Sequence, residues 1–262
     1  MKQNHSQGNK TKIALITGAS SGIGQGAAIA LADKGIPSII TYNQHEDRVQ
    51  ETIAEVERRN VKAIPLKLDV GKSETFPQFR KELLSVLKKE WQTDRLDYLV
   101  NNAGFGKMVY FQETTEELFE QFFRVLLKGP YFLTQQLLDL IPDGGAIINT
   151  TSNSAMVSGR QKGYSAYASM KGGLITLTQY MAMEFAQRKI RVNAVSPGPT
   201  RTRIAEDAFE KYPEVIPPIV EKTALGRLGD GYDVGLVIAS VLSDEFRWVT
   251  GQNIEASGGW NM

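Results

Sequence analysis

The 262-residue chain contains no cysteine, which excludes disulfides, thiolate metal sites and cysteine nucleophiles. Histidine is nearly as scarce: His5 and His45 are the only two, and His5 stands in a polar opening stretch. A Ser-His-Asp triad or a histidine-rich metal centre has little to draw on, so no metal site is expected. No apolar run reaches the roughly 18 residues that cross a bilayer. Met1 to Lys10 also lacks the apolar region of a signal peptide. Charge of one sign is missing as well, with 30 basic residues against 29 acidic ones. That balance gives no argument for nucleic acid or an anionic membrane as a partner. What remains is a soluble, cytoplasmic protein with a small-molecule substrate, long enough for one large α/β domain.

Short apolar runs alternate with helical patterns along the chain. Strands are expected over 12–17, 38–42, 61–68, 96–100, 146–150, 190–195 and 253–256. Helices are expected over 22–34, 47–59, 73–91, 115–140, 163–188 and 233–242. Such alternation reads as βαβ units and a parallel sheet covered on both faces. No composition break marks a linker, so residues 11–262 form one domain behind a flexible tail over 1–10. Arg201 to Lys222 is different, a long connection with several prolines of the kind that forms lids over substrates.

Three stretches carry chemistry. Thr17-Gly18-Ala19-Ser20-Ser21-Gly22-Ile23-Gly24 falls where the first strand turns into the first helix. Glycines there allow close backbone approach, and the helix start offers free amides to a pyrophosphate. Asn101-Asn102-Ala103-Gly104 follows the fourth strand, where Asn side chains brace backbone and a small pair admits a ring. Tyr167 and Lys171 are four apart, one turn of a helix. A phenol has an unperturbed pKa near ~10. A cation one turn away favours its phenolate, so the pair can pass a proton to or from a carbonyl oxygen.

In this order the motifs resemble those of the short-chain dehydrogenase/reductase family, especially its 3-oxoacyl-reductase and carbonyl-reductase members. Asp69-Val70, the serine near 152, Arg191-Val192-Asn193, Pro197-Gly198 and the Gly258-Gly259 ending complete the likeness, which runs from about residue 11 to the C-terminus. It implies a single-domain Rossmann fold with a doubly wound sheet of about seven strands. It also implies NAD(P)-dependent reduction of a ketone or 3-oxoacyl carbonyl, with Tyr167 as proton donor. Lys171 would lower the Tyr167 pKa and bond the nicotinamide ribose, and Ser152 would hold the substrate oxygen. The family's usual spacing to the tyrosine points to Ser154 instead, and a two-residue insertion in the loop keeps Ser152. Gly18, Ser20, Ser21, Ile23 and Gly24 would line the cofactor phosphates. Asp69 and Val70 would flank adenine, with Asn102, Ala103 and Gly104 behind the ribose. Pro197, Gly198, Thr200 and Thr202 would meet the nicotinamide. A homotetramer built through helix faces is implied as well.

The chain departs from the family's pattern in three places. Leu126 stands where many members have an asparagine that helps hold a water linking the lysine to solvent. Tyr164 makes a Y-x6-K spacing with Lys171, as in some enoyl reductases. An enoyl-thioester reductase using Tyr164, or a cofactor-binding protein with weakened turnover, are the alternatives. At the end of the second strand, Tyr42 and Asn43 replace the acid that would repel a 2′-phosphate. NADP(H) is therefore favoured and NAD(H) possible, although neither Ser21 nor Asn43 supplies a cation. Phe105, Met156, Tyr164, Phe209 and Tyr212 suggest an apolar substrate pocket.

Overall fold

Seven parallel strands make the central sheet: β1 (Ala14–Ile16), β2 (Ser38–Tyr42), β3 (Ala63–Lys67), β4 (Tyr98–Asn101), β5 (Ala146–Thr150), β6 (Arg191–Pro197) and β7 (Asn253–Ala256). In this computed structural model, residues 11–203 and 209–262 are described. The tail expected over 1–10 and part of the 201–222 connection lie outside them. Strand order is β3-β2-β1-β4-β5-β6-β7. β1 pairs with β2 on one side, Ala14 opposite Ser38, and with β4 on the other, Ala14 opposite Tyr98. The order reverses at β1, so chain leaving β1 and β4 diverges to opposite faces. The crevice this opens is where doubly wound sheets bind ligands. Both expected cofactor motifs leave the sheet there.

Alternation along β1 assigns its side chains to two cores. Ala14 and Ile16 pack under α1 (Gly22–Ala32), α2 (Glu46–Glu57) and a late helix, Gly231–Leu242, through Ala27, Leu31, Val49, Val56, Val234 and Ile238. Leu15 faces the other layer, α3 (Phe76–Trp91), α5 (Gly129–Leu137) and α6 (Ser165–Glu184), through Phe79, Leu83, Leu87, Leu133, Leu137 and Met181. The late helix is α7 here. Its start is fixed by a reciprocal pair of bonds between Asp230 and Asp233, a capping box. No helix among the described residues is long and apolar enough to cross a membrane.

The single helix expected over 115–140 is broken. α4 covers Glu116–Phe123, capped by Thr115, whose hydroxyl accepts from Leu118 N at 3.2 Å. A wide π-turn follows over Arg124–Lys128, closed by Gly129 N donating to Arg124 O, before α5 resumes. Pro130 gives the reason: it has no N–H to offer the Leu126 carbonyl, and its ring crowds the preceding turn. The helix expected from 163 begins at Ser165, because Gly163 is left-handed at φ 85°.

Candidate active site

The turn from β1 into α1 is built from backbone. Gly18 has φ 64°, and a Cβ there would stand 2.7 Å from the Ala103 Cα. A Cβ on Gly24 would fall 2.4 Å from Gly18 O and 2.6 Å from the Asn102 side-chain nitrogen. Asn102 Nδ2 donates to the carbonyls of Thr17 and Gly18 at 2.9 and 3.1 Å. The Thr17 hydroxyl accepts from the amides of Asn102 and Ala103 at 2.9 and 3.0 Å. Thr41 accepts from Gly18 N at 3.2 Å, tying in the strand that ends at Tyr42. The two expected cofactor motifs are thus one structure.

This cradle fits a dinucleotide. Ser21 makes no side-chain bond across the start of α1, and the first turn holds no acid. The amides of Gly22, Ile23 and Gly24 therefore lack intrahelical acceptors, which is what a pyrophosphate needs. Thr202 closes over Gly22, since a Cβ there would be 3.1 Å from the Thr202 side chain. Pro197 ends β6, Gly198 N donates to Ala256 O, and Thr200 Oγ1 to Gly198 O at 2.9 Å. Asp69 and Val70 follow β3, with Asp69 accepting from Gly71 N at 2.9 Å; Ser20 lies within the turn itself, beside Ala19 N, which donates to Thr41 O. Among the described residues, no hydrogen bond ties Asp69 or Asn43 to the cradle. Tyr42 is half-buried, its phenol pushed up by burial and the nearby Glu46 carboxylate.

At the ends of β5 and the start of α6 the construction changes to side chains. Tyr167, 9% exposed, and Lys171, 4% exposed, are both buried on α6. Burial pushes the Tyr167 hydroxyl up to about 12, against an opposing pull from the neighbouring Ser152 hydroxyl. Burial pushes Lys171 the other way, down to about 8. Lys171 Nζ lies 5.9 Å from the Tyr167 ring centre and donates to Thr150 O at 2.7 Å. Against the expected lowering by Lys171, the Tyr167 pKa is raised in the protein alone, because desolvation penalises its charged form. Ser154 donates through Oγ and N to Ser152 Oγ, at 2.9 and 3.2 Å.

Leu126 is 1% exposed and sits in one small core with Phe122, Tyr167 and Met170. A Cβ on Gly104 would touch Leu126 at 2.9 Å and lie 4.0 Å from Lys171 Nζ. Tyr164 stands edge-on to Tyr167, ring centres 6.2 Å apart. It faces a cleft of about 550 Å³ with Tyr110, Phe111, Ser154, Ala155 and Lys162. Of the apolar residues expected around substrate, Phe105 stacks inward on Phe122 at 4.8 Å, Met156 lies against Asn253, and Tyr212 is exposed.

Two features were not anticipated from the sequence. Arg48, in the first turn of α2, is half-buried and has no ion-pair partner among the described residues. It shares the lining of one cavity with Ser21 and Thr202; its place just after β2 was the available signal. A buried ladder also runs beneath the site. Asn101 donates to Thr134 at 3.0 Å and to Asn149 at 2.9 Å, and Asn149 donates to Thr178 at 2.9 Å. It ties β4 and β5 to α5 and α6, and asparagines in apolar strands signalled it.

Residues 18–261 match the adh_short_C2 family model, described as enoyl-(acyl carrier protein) reductase. An uncharacterised oxidoreductase of Methylorubrum extorquens is 35% identical over 248 residues, 95% of this chain and 97% of that protein. A 3-oxoacyl-[acyl-carrier-protein] reductase of Staphylococcus epidermidis is 32% identical, covering 96% and 99%. The structure of the angucycline C-6 ketoreductase LanV with bound NADP superposes with a TM-score of 0.90 at 33% identity, covering 97% of each chain. A match of this extent, over a sheet and a cradle of this form, makes the chain a member of the short-chain dehydrogenase/reductase family of NAD(P)-dependent oxidoreductases.

Proposed function

We propose that the protein reduces a ketone, in a 3-oxoacyl thioester or a polycyclic compound, to a secondary alcohol with NADPH. The observation that carries this reading is the buried Tyr167, with Ser152 beside its hydroxyl and the buried Lys171 one helical turn away. The amides of Gly22 to Gly24 would hold the pyrophosphate, with Gly18, Ser20 and Ser21 around it. Asn102, Ala103 and Gly104 would back the ribose. Asp69 and Val70 would flank adenine, and Pro197, Gly198, Thr200 and Thr202 would meet the nicotinamide. Lys171 has donors beyond the one given to Thr150 O for the ribose hydroxyls. The bound dinucleotide supplies the hydride.

Tyr167 holds its proton throughout the neutral range, as a donor in carbonyl reduction must. Before transfer, Tyr167 and Ser152 both donate to the substrate oxygen and stabilise its developing charge. As Tyr167 gives up its proton, the nearby Lys171 cation offsets the phenolate. The Ser152 hydroxyl can then turn to the tyrosine oxygen. Tyr164 forms the cleft wall. The absence of an acid at Tyr42 and Asn43 favours NADPH, and Arg48, which lines a cavity with Ser21, would meet its 2′-phosphate. Arg48→Glu is expected to lower kcat/KM for NADPH about tenfold, with NADH little changed.

The test is NADPH and NADH oxidation against 3-oxoacyl thioesters, polycyclic ketones and enoyl thioesters. Turnover of ketones supports the proposal. Turnover of enoyl thioesters alone would assign the acid to Tyr164, and cofactor binding without turnover would leave a binding protein. A specificity constant for NADH more than about tenfold above that for NADPH overturns the cofactor choice. The proposal includes a homotetramer in the cytoplasm. Exposed Tyr180 and Met183 on α6, with Tyr131 and Phe132 on α5, support helix-face assembly, which sedimentation would test; cell fractionation would test the location.

A further inference from the structure

Every reduction takes the proton of Tyr167, and a buried phenol must recover it from water before the next turnover. Two routes lead away from its oxygen. On one side lies Lys171, itself 4% exposed, with its ammonium bonded to Thr150 O at 2.7 Å. Leu126 packs against Gly104 at that end, with Phe122 in the same apolar cluster as Leu126. None of these side chains carries a donor or acceptor, so none passes a proton onward. The other side is polar. Ser154 donates to Ser152, Ser154 lines the open cleft, and Ser152 stands beside the Tyr167 hydroxyl.

The bonds at Ser152 also set the direction of that chain. A hydroxyl has one proton to give and two lone pairs to receive with. Both lone pairs of Ser152 are taken, one by the amide of Ser154 and one by its hydroxyl. The one Ser152 proton is left for Tyr167 or for the substrate oxygen beside it. The hydroxyls are therefore ordered from the cleft inward, each donating to the next.

We propose that Ser154 is the entry point of a proton relay, running from cleft water through Ser154 and Ser152 to Tyr167, on the side away from Leu126. The step balances. The Tyr167 phenolate takes the Ser152 proton, Ser152 takes that of Ser154, and Ser154 takes one from a cleft water. The hydroxide left behind is neutralised by the medium, and no bond other than O–H changes. Ser154 acts through Ser152 and does not itself touch the reacting atoms.

This inference rests on the carbonyl-reductase reading, and the test separates the two. Ser154→Ala, loaded with NADPH and mixed rapidly with a ketone substrate, starts with Tyr167 already protonated. Its first turnover is expected at the wild-type rate. Steady-state turnover is expected to fall about tenfold, with a larger solvent deuterium isotope effect, because reprotonation becomes limiting. Ser154→Thr keeps the hydroxyl and is expected to restore both. A second readout needs no turnover: exchange of the Tyr167 hydroxyl proton with water, followed by magnetic resonance with labelled tyrosine, is expected to slow in Ser154→Ala. A parallel fall in first and later turnovers would overturn the relay, making Ser154 a brace for Ser152. An unchanged steady-state rate or an unchanged exchange rate would overturn it too. If the wild-type protein reduces no ketone, the carbonyl reading fails, and the exchange measurement still decides the relay.

Discussion

The cofactor cradle and the tyrosine cluster lie side by side yet are built on opposite principles. At the cradle, Gly18 and Gly24 leave no space for a side chain, and Thr17, Asn102 and Thr41 fix the backbone with bonds near 3 Å. At the cluster, the backbone is ordinary helix and strand end, and the function hangs on side chains with bonding capacity to spare. Among the described residues, Thr150 Oγ1 and Asn153 Nδ2 are buried without a hydrogen-bond partner, and Lys171 carries a cation into an apolar pocket. One region is over-determined by shape; the other accepts a cost in stability so that charge can form where it is needed. A change at the first should damage folding and binding together. A change at the second should separate chemistry from folding.

The strongest separation is expected from Tyr167→Phe, which keeps the packing and removes the proton. Turnover should fall by about a thousandfold or more while cofactor affinity, read by nicotinamide fluorescence, stays within about twofold. Gly24→Ala should do the reverse. Its Cβ meets Gly18 O at 2.4 Å, a clash with backbone that should cost about 3 kcal/mol in denaturant unfolding and abolish cofactor binding.

Lys171→Met tests the cost carried by the cluster. Lys171 sits at about 8 in the folded protein against an ordinary 10.5, so the unfolded chain binds more protons between those values. Stability of the protein without cofactor should therefore rise with pH across that interval. Tyr167, raised from 10.0 to about 12, reverses the trend above its ordinary value, leaving the window from about 8 to 10 to Lys171. Lys171→Met should flatten that rise and stabilise the neutral protein by on the order of 2 kcal/mol, measured by unfolding at several pH values. The smallest effect is expected at Gly35, which is left-handed at φ 71° with nothing within 4 Å of an added Cβ. Gly35→Ala should cost only about 1 kcal/mol and leave cofactor binding unchanged, showing that crowding makes the cradle intolerant.

The same contrast explains what could be read in the sequence. β2, β5 and β7 occupy the residues expected of them, Ser38–Tyr42, Ala146–Thr150 and Asn253–Ala256, because buried parallel strands are short apolar runs between turn residues. The cradle was legible for a related reason: only glycine tolerates its geometry, and glycines mark themselves. The long helix over 115–140 was misread because apolar residues continue through the π-turn, and only Pro130 announced the break. The pKa balance at Tyr167 was not legible either. Spacing places a lysine one turn away, but burial depends on Phe122 and Leu126 arriving from elsewhere. Arg48 and Ser154 take their places through the tertiary arrangement, one beside Ser21 in a cavity, the other beneath Ser152.

The wide turn at Arg124–Lys128 has a further consequence. Each residue advances an α-helix by about 100°, so one extra residue in a turn re-aims everything before it relative to everything after. α4 and α5 are thus two dials set on one shaft, and the turn fixes the angle between them. Phe122 lies above the turn and faces Tyr167 edge-on at 6.0 Å; Leu133 lies below it and faces the sheet. Removing one residue from the turn would swing the α4 ring away from the tyrosine while leaving α5 seated. The dryness around Lys171 is therefore governed by a count of residues as much as by which residue stands at 126.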